Sequence, residues 1–465
     1  MDYRHEQSFL RRSRLLGLLA GALVLAAAAA ALRVAPPGKA LTIAVVLIAL
    51  ALAASLFYSP DYLHFTVNPE KRPRWQTKIR WRVLAAALIL GSLLAPNVRS
   101  GLVLLGALAW LAAANLLAKL ALPARWFAAY FWTTDFLLLA ALLLLARLDL
   151  LLAAALLAAA AHLSIIIADG NPLPWAGAML AWSGLLLLAA GLQRGTPWPG
   201  WLPPAGLVLV SALGTGLLVA RVQRHHAANI AAALRDLEDF TGYDAARIRH
   251  LWATSNQELA RAWQQAAIPE TDRERMAAWY RDHSELYLFA ISAYNLEYKR
   301  LRSNLRALAL ARGACLDYGA GDGELILELA RRGHPAAYFD VDGVTKKFAR
   351  HRAQRLGLAL DFFSSKEELA RAAQQRRFDT IFSFDVLEHI PDLAGELDFL
   401  SSLLAPGGLF AFDVPAGSTR SHPMHLNHAL DVRAHLRRKG MQEGRSRLAR
   451  LFAKRDQHRF RAPST

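Results

Sequence analysis

Cysteine is almost missing from this chain. Cys315 is the only one, which excludes an intramolecular disulfide and leaves no cysteine-based zinc site. Acidic residues are also short: 54 Lys and Arg face 37 Asp and Glu, a formal net charge of +17. Such a balance admits a nucleic-acid partner. The basic residues, however, gather at the ends of apolar segments and in the tail, the pattern of orientation signals and of contacts to anionic lipid. No nucleic acid is therefore expected. The first half has no internal repeat and no transporter signature.

What the first half does have is apolar length. Hydrophobic residues make up 54% of the chain and the mean hydropathy is +0.22, with the excess lying before residue 222. A spanning helix needs about 20 mostly apolar residues. Segments 15–33, 40–58, 83–97, 101–121, 126–146, 149–168, 175–192 and 204–221 approach that length. Residues 1–221 are expected to form a polytopic membrane bundle of about eight spans, or seven if the junction at "APNVRSG" is not a true loop. The first span, with its basic flank and alanine run, also fits a cleaved signal peptide. Arg4, Arg11, Arg12 and Arg14, then Lys71, Arg72, Arg74, Lys78, Arg80 and Arg82, then Arg221, Arg224, His225 and His226 fall on one side of such a bundle if it has eight spans. Both termini are then cytoplasmic. Asp135 and His162 interrupt adjacent spans and are expected to face each other inside the bundle.

Residues 222–310 change character. Charges appear at helical spacing and apolar residues recur at i, i+3, i+4 and i+7, as in "AARIRHLWATSNQELARAWQQAA" and "TDRERMAAWYRDHSELYLFAISAYNLEYKRLRSNLRALAL". These read as an amphipathic helical linker, with Thr271 and Glu274 spaced for a capping box. Its aromatics, including Trp279, Tyr280, Tyr287 and Tyr294, suit either a lid over a substrate or ordinary packing on the next domain.

"ACLDYGAGDGELILELA" then reads as strand, glycine turn and helix. Gly319, Gly321 and Gly323 allow positive φ and close backbone approach. The helix start adds unpaired N–H groups and partial positive charge. A dinucleotide fingerprint needs a third glycine at 324, where Glu stands, so a nicotinamide-dependent oxidoreductase fails there. The pattern is D-x-G-x-G-x-G from Asp317, and an acidic group ahead of the turn suits a ligand bearing an ammonium as well as a carboxylate. A second strand, "AAYFDV", ends at Asp340, placed to accept from two ribose hydroxyls, with Asp342 as its competitor. A third ends at Ser364 and Ser365. A fourth carries Asp385, Glu388 and His389 just past its end. In an open parallel sheet these groups converge at the carboxyl rim. "LLAPGGLFAFDVP" feeds a fifth strand.

Residues from about 311 to 440 resemble class I S-adenosylmethionine-dependent methyltransferases of the small-molecule branch that includes the ubiquinone-biosynthesis O-methyltransferases. The likeness rests on "LDYGAGDGE", "YFDVDGVTKKFARHRA", "FDTIFSFDVLEHIPD", "LLAPGGLFAFDVP" and the late histidine segment "HPMHLNHALDVRAHLRRKGM". It implies a Rossmann-like α/β domain binding S-adenosyl-L-methionine. Asp317, Gly319, Gly321 and Gly323 would meet the methionine end, Asp340 the ribose, Ser364 or Ser365 the adenine, and Phe384 and Asp385 the pocket wall. Serines stand where many relatives have an acidic residue for the adenine amino group. His389 and Glu388 are the expected catalytic pair, with His389 the natural base, and structural capping of the turn the alternative. The resemblance implies that the segment bearing His425 covers the acceptor. No metal is expected, although Asp385, Glu388 and His389 are competent ligands for a divalent ion. The basic tail 441–465 is either the last strand, through "HRFRAPS", or a patch for anionic lipid. The expectation is an integral membrane methyltransferase, its catalytic domain cytoplasmic, acting on a small or lipid-linked acceptor. The alternative is a membrane sensor or transporter whose cofactor-binding domain does no chemistry.

Overall fold

The computed structural model describes residues 202–414, 417–419, 422–443 and 457–463, with isolated positions in the first half. The first seven expected spans and the Asp135–His162 pair lie outside the described residues, those isolated positions apart. The eighth, 204–221, has a helical backbone within α1 (Leu202–Thr241). Among the described residues no helix is long and apolar enough to cross a membrane. The chain divides into two compact units, 8–228 and 229–465 with the first seven residues. The division falls inside α1, a few residues beyond the composition change at 222.

The second unit is built on a seven-stranded sheet. Its strands are β1 (Cys315–Tyr318), β2 (Ala336–Phe339), β3 (Asp361–Phe363), β4 (Phe378–Ser383), β5 (Leu404–Asp413), β6 (Gln442–Glu443) and β7 (Gln457–Arg461), in the spatial order β3-β2-β1-β4-β5-β7-β6. The first five run parallel. β7 pairs antiparallel with both β5 and β6. This is a Rossmann-like α/β arrangement, and "HRFR" does supply a strand. β1 is buried along its whole length, as a central parallel strand covered on both faces must be. Leu316, Ile381, Phe410, Phe412 and Phe460 from the sheet pack with Leu397 and Leu400 of α9 (Leu393–Ser402) in one core.

Helices α6 (Glu324–Arg331), α7 (Val344–Arg355), α8 (Lys366–Gln375) and α9 connect the strands, and α10 (Val432–Arg438) precedes β6. Before the sheet come α2 (Ala245–Ala266), α3 (Arg273–Asp282), α4 (Ser284–Asn295) and α5 (Tyr298–Leu310). The expected Thr271 capping box does not form. Asp272 caps α3 instead, its carboxylate accepting from Arg275 N at 3.0 Å, because a short carboxylate one residue nearer the helix reaches the orphan amide first. Leu259 and Trp263 of α2, Met276 and Trp279 of α3 and Ala290 of α4 share a second core with Met424 and Leu426. The lead-in helices are thereby fixed onto the segment that follows β5.

Candidate functional site

The turn after β1 is built so that side chains stay out of it. Gly319 has φ +77°, and a Cβ there would lie 2.2 Å from Val386 Cγ2. Gly323, also at φ +77°, would meet Ala349 Cβ at 2.9 Å. Both positions exclude any larger residue through backbone conformation and space together. The amides of Gly319 and Ala320 donate to Phe339 O at 2.8 and 3.0 Å, tying the turn to the end of β2. Asp340, the next residue after β2, accepts from Gly321 N at 2.6 Å through Oδ2 and from Val341 N at 2.7 Å through Oδ1. Each oxygen keeps a further lone pair for an outside donor. Burial pushes its carboxyl up to about 6 against the pull of those two amides and Lys346. Asp342, its competitor, has a side chain 69% exposed.

Asp317, buried at the end of β1, is pushed by burial to about 7, with Asp340 and Asp322 adding to the rise and Arg300 opposing it. A carboxyl with so high a pKa is poised to ionise when a cation arrives. Arg300, on α5, was not singled out in the sequence. Its Nη1 donates to Asp385 Oδ2 at 3.0 Å, its guanidinium lies 6.0 Å from the Phe384 ring centroid, and its buried Nε has no hydrogen-bond partner. Asp385 is one of two non-glycine residues with positive φ among the described residues, at +58°, and its N–H donates to Asp413 Oδ1 at 2.7 Å. Backbone strain of this kind persists only where surrounding contacts enforce it. The rim beside the glycine turn therefore offers an acidic group, a guanidinium with a spare donor and an aromatic wall. The orphaned Arg300 Nε and the glycine cradle fit a ligand bearing both a carboxylate and an ammonium, as S-adenosylmethionine does.

Beyond β4 a single turn of 3₁₀ helix, Leu387–His389, carries the expected catalytic pair. Glu388 is fully buried and both carboxylate oxygens lack a hydrogen-bond partner. Burial, helped by Asp385, raises its carboxyl to about 9, so it is a neutral acid rather than a base at neutral pH. His389 is pushed by burial, and then by His425, down to about 3. Its Nδ1 lies 2.8 Å from Tyr280 Oη and 3.2 Å from Met424 O. His425 stacks edge-on against it at 4.8 Å, its Nε2 4.0 Å from Glu388 Oε1. The late histidine segment thus lies over this turn, held by Leu426 N donating to Glu388 O at 2.8 Å. Tyr287 closes the other side, its ring 5.3 Å from that of Tyr280.

The set able to ligate a metal differs from the D-x-x-E-H reading. Glu388, His389 and His425 bring ligand-type atoms within 4.8 Å of one another, whereas the Asp385 carboxylate is turned to Arg300. Of the two serines after β3, Ser365 is occupied as the N-cap of α8 in a full capping box with Glu368. Ser364 bonds through its hydroxyl to Lys346 Nζ and donates its N–H to Glu368 Oε2 at 3.0 Å. His422 is exposed, its ring 5.1 Å from His425.

Residues 292–458 match the family model described as "Methyltransferase domain". Among curated proteins, the ubiquinone biosynthesis O-methyltransferase of Xanthomonas euvesicatoria pv. vesicatoria (strain 85-10) is 35% identical over 131 residues, 28% of this chain and 52% of that protein. The one from Xylella fastidiosa (strain M23) is 32% identical over 133 residues, again 28% and 52%. The chain spans about half the length of the curated relatives it matches. A solved magnesium protoporphyrin IX methyltransferase of Synechocystis PCC 6803 with bound S-adenosylmethionine aligns at 17% identity and a TM-score of 0.32, covering 42% of this chain and 97% of that one.

Proposed function

We propose that the chain is a membrane-tethered methyltransferase that uses S-adenosylmethionine and methylates a hydroxyl of a small or lipid-linked acceptor at the cytoplasmic face. One observation carries the reading: a carboxylate at Asp340, a three-glycine turn and the unpaired donor of Arg300 lie on one sheet rim beside the buried turn that holds Glu388 and His389. The matched methyltransferase domain and the O-methyltransferase activity for which the curated relatives are named support methyl transfer to oxygen. The apolar composition before residue 222 supports the tether and, with it, an acceptor in or on the bilayer. The basic tail supports contact with anionic lipid.

The bound sulfonium supplies a methyl group that needs no further activation. Asp340 would hold the ribose hydroxyls, and the spare Nε of Arg300 would take the carboxylate. Asp317 ionises against the ammonium. The protein's main task is then alignment, and holding nucleophile and methyl together is worth effective molarities of about 10⁵ M or more. His389 accepts the hydroxyl proton, and protonated Glu388 donates a hydrogen bond to the acceptor.

Titration calorimetry on the full-length chain tests the cofactor half of the reading: S-adenosylmethionine is expected to bind and NAD to give no heat. Labelled methyl donor in membrane extract is expected to mark the lipid fraction. Binding without transfer would replace the enzyme by a cofactor sensor, and transfer only into the aqueous fraction would remove the lipid-linked acceptor.

A further inference from the structure

His389 can act as a base only if Nε2 carries a lone pair, and which nitrogen holds the single proton of a neutral imidazole is set by what the ring touches. Two oxygens meet its Nδ1 edge: Tyr280 Oη at 2.8 Å and Met424 O at 3.2 Å. A carbonyl oxygen only accepts. If Nδ1 were bare, two lone pairs would face each other across 3.2 Å. A phenol hydroxyl serves either way, so only the tautomer with the proton on Nδ1 satisfies both contacts. We propose that Tyr280 is the positioning residue for His389. The Met424 carbonyl selects the Nδ1–H tautomer, and Tyr280, accepting on the same edge, holds the ring so that Nε2 is left bare as the proton acceptor. The inference rests on the methyl-transfer reading, which gives His389 a proton to accept.

The surroundings agree with that assignment. Tyr280 is itself held by rings: Trp279 at 5.2 Å, Trp263 at 6.0 Å and Tyr287 at 5.3 Å. Having accepted from Nδ1–H, its own proton is free to turn toward Tyr287, whose buried hydroxyl has no hydrogen-bond partner. His425 faces the ring edge-on and makes no hydrogen bond that would fix the other tautomer. In the transfer, the acceptor O–H bond breaks as its oxygen bonds the methyl carbon. The sulfur–carbon bond gives up its pair to leave a neutral thioether, and the proton goes to Nε2. The imidazolium so formed still donates from Nδ1 to two oxygens, both now stabilising a cation. Tyr280 lies on α3, ahead of the segment 292–458 that matches the methyltransferase domain. The lead-in helices therefore carry part of the acid–base apparatus rather than serving as a linker alone.

The test is the tautomer itself. Full-length chain labelled with ¹⁵N on histidine is examined by long-range ¹H–¹⁵N correlation, and His389 is assigned by the signals lost in His389→Asn. The wild type is expected to show a protonated Nδ1 and a bare Nε2 at widely separated shifts. In Tyr280→Phe the proton is expected to stay on Nδ1, held by the Met424 carbonyl, with its ¹⁵N and ¹H shifts moved by the loss of one of its two acceptors, while calorimetric affinity for S-adenosylmethionine stays within about two-fold. A wild-type ring protonated on Nε2 would overturn the proposal, and so would a Tyr280→Phe spectrum unchanged from wild type. Failure of the wild type to bind S-adenosylmethionine would instead remove the methyl-transfer reading and leave the tautomer result standing.

Discussion

Glu388 is a costly residue to bury. Its carboxyl titrates at about 9 in the folded chain because burial, seconded by Asp385, disfavours the anion, against about 4.3 in an unfolded one. Between those values the folded state keeps a proton that the unfolded state has released, so stability falls as pH rises through that window. Glu388→Gln, which cannot ionise, is expected to flatten that slope. Its melting temperature should gain on wild type more at pH 9 than at pH 5, and equal gains at both would mean that Glu388 is hydrated. His389 works in the opposite sense: held at about 3 by burial, it removes stability as pH drops from about 6.5, the usual imidazole value, toward 3. At Arg300, Arg300→Met deletes the donor proposed for the cofactor carboxylate. A charge-assisted hydrogen bond contributes ~1.5–3 kcal/mol, so calorimetry is expected to show affinity for S-adenosylmethionine reduced at least ten-fold. An unchanged affinity would return Arg300 to a structural partner of Asp385.

Among the elements, α7 does more than connect two strands. Its Arg352 donates to Glu324 Oε2 at 2.6 Å and to Asp322 O at 3.2 Å, and lies 3.5 Å from Asp236 of α1. One buried guanidinium thus fixes the start of α6, where the glycine turn ends. Arg352→Met removes a buried charge partner from Glu324 and a donor from Asp322 O, and breaking a buried pair is a change of the kind that costs ~3–5 kcal/mol. A melting temperature lowered in Arg352→Met and partly restored in the Glu324→Gln/Arg352→Met double variant is expected from thermal denaturation of the full chain. The elements also differ in how far they could be read beforehand. β1, β2 and β4 stand out as short apolar runs stopped by glycine or acid, so Asp317, Asp340 and Asp385 were placed at the rim from strand ends alone. The run from Thr271 to Leu310 carries no proline or glycine. Its division at His283 and again at Leu296–Glu297 is announced by neither residue type, and Met276, Trp279 and Ala290 on either side of His283 pack with Met424. Arg300 escaped notice for the same reason, and Tyr280 was legible only as one aromatic of the lead-in, not as a partner of His389. Each sits on a helix far from the site in sequence, and only tertiary packing brings its tip to the rim.

For the whole molecule, the division into units at residues 228 and 229 lies close to the change in composition at 222. A packed α/β sheet needs polar residues on its outer surface, and charged residues at helical spacing begin at that change. The full-length chain is expected to stay in the membrane fraction after alkaline carbonate washing, and release into the supernatant would remove the tether and the lipid-linked acceptor together. The order of the strands has a consequence for synthesis. β7 follows β6 in sequence yet lies between β5 and β6, so a nascent chain that has emerged only as far as Glu443 presents the backbone edge of β5 over Leu409–Asp413 as an open template. Ribosomes that stall or terminate in that interval release a product whose free edge invites pairing with another copy, and such truncated products are expected in inclusion bodies rather than in the membrane.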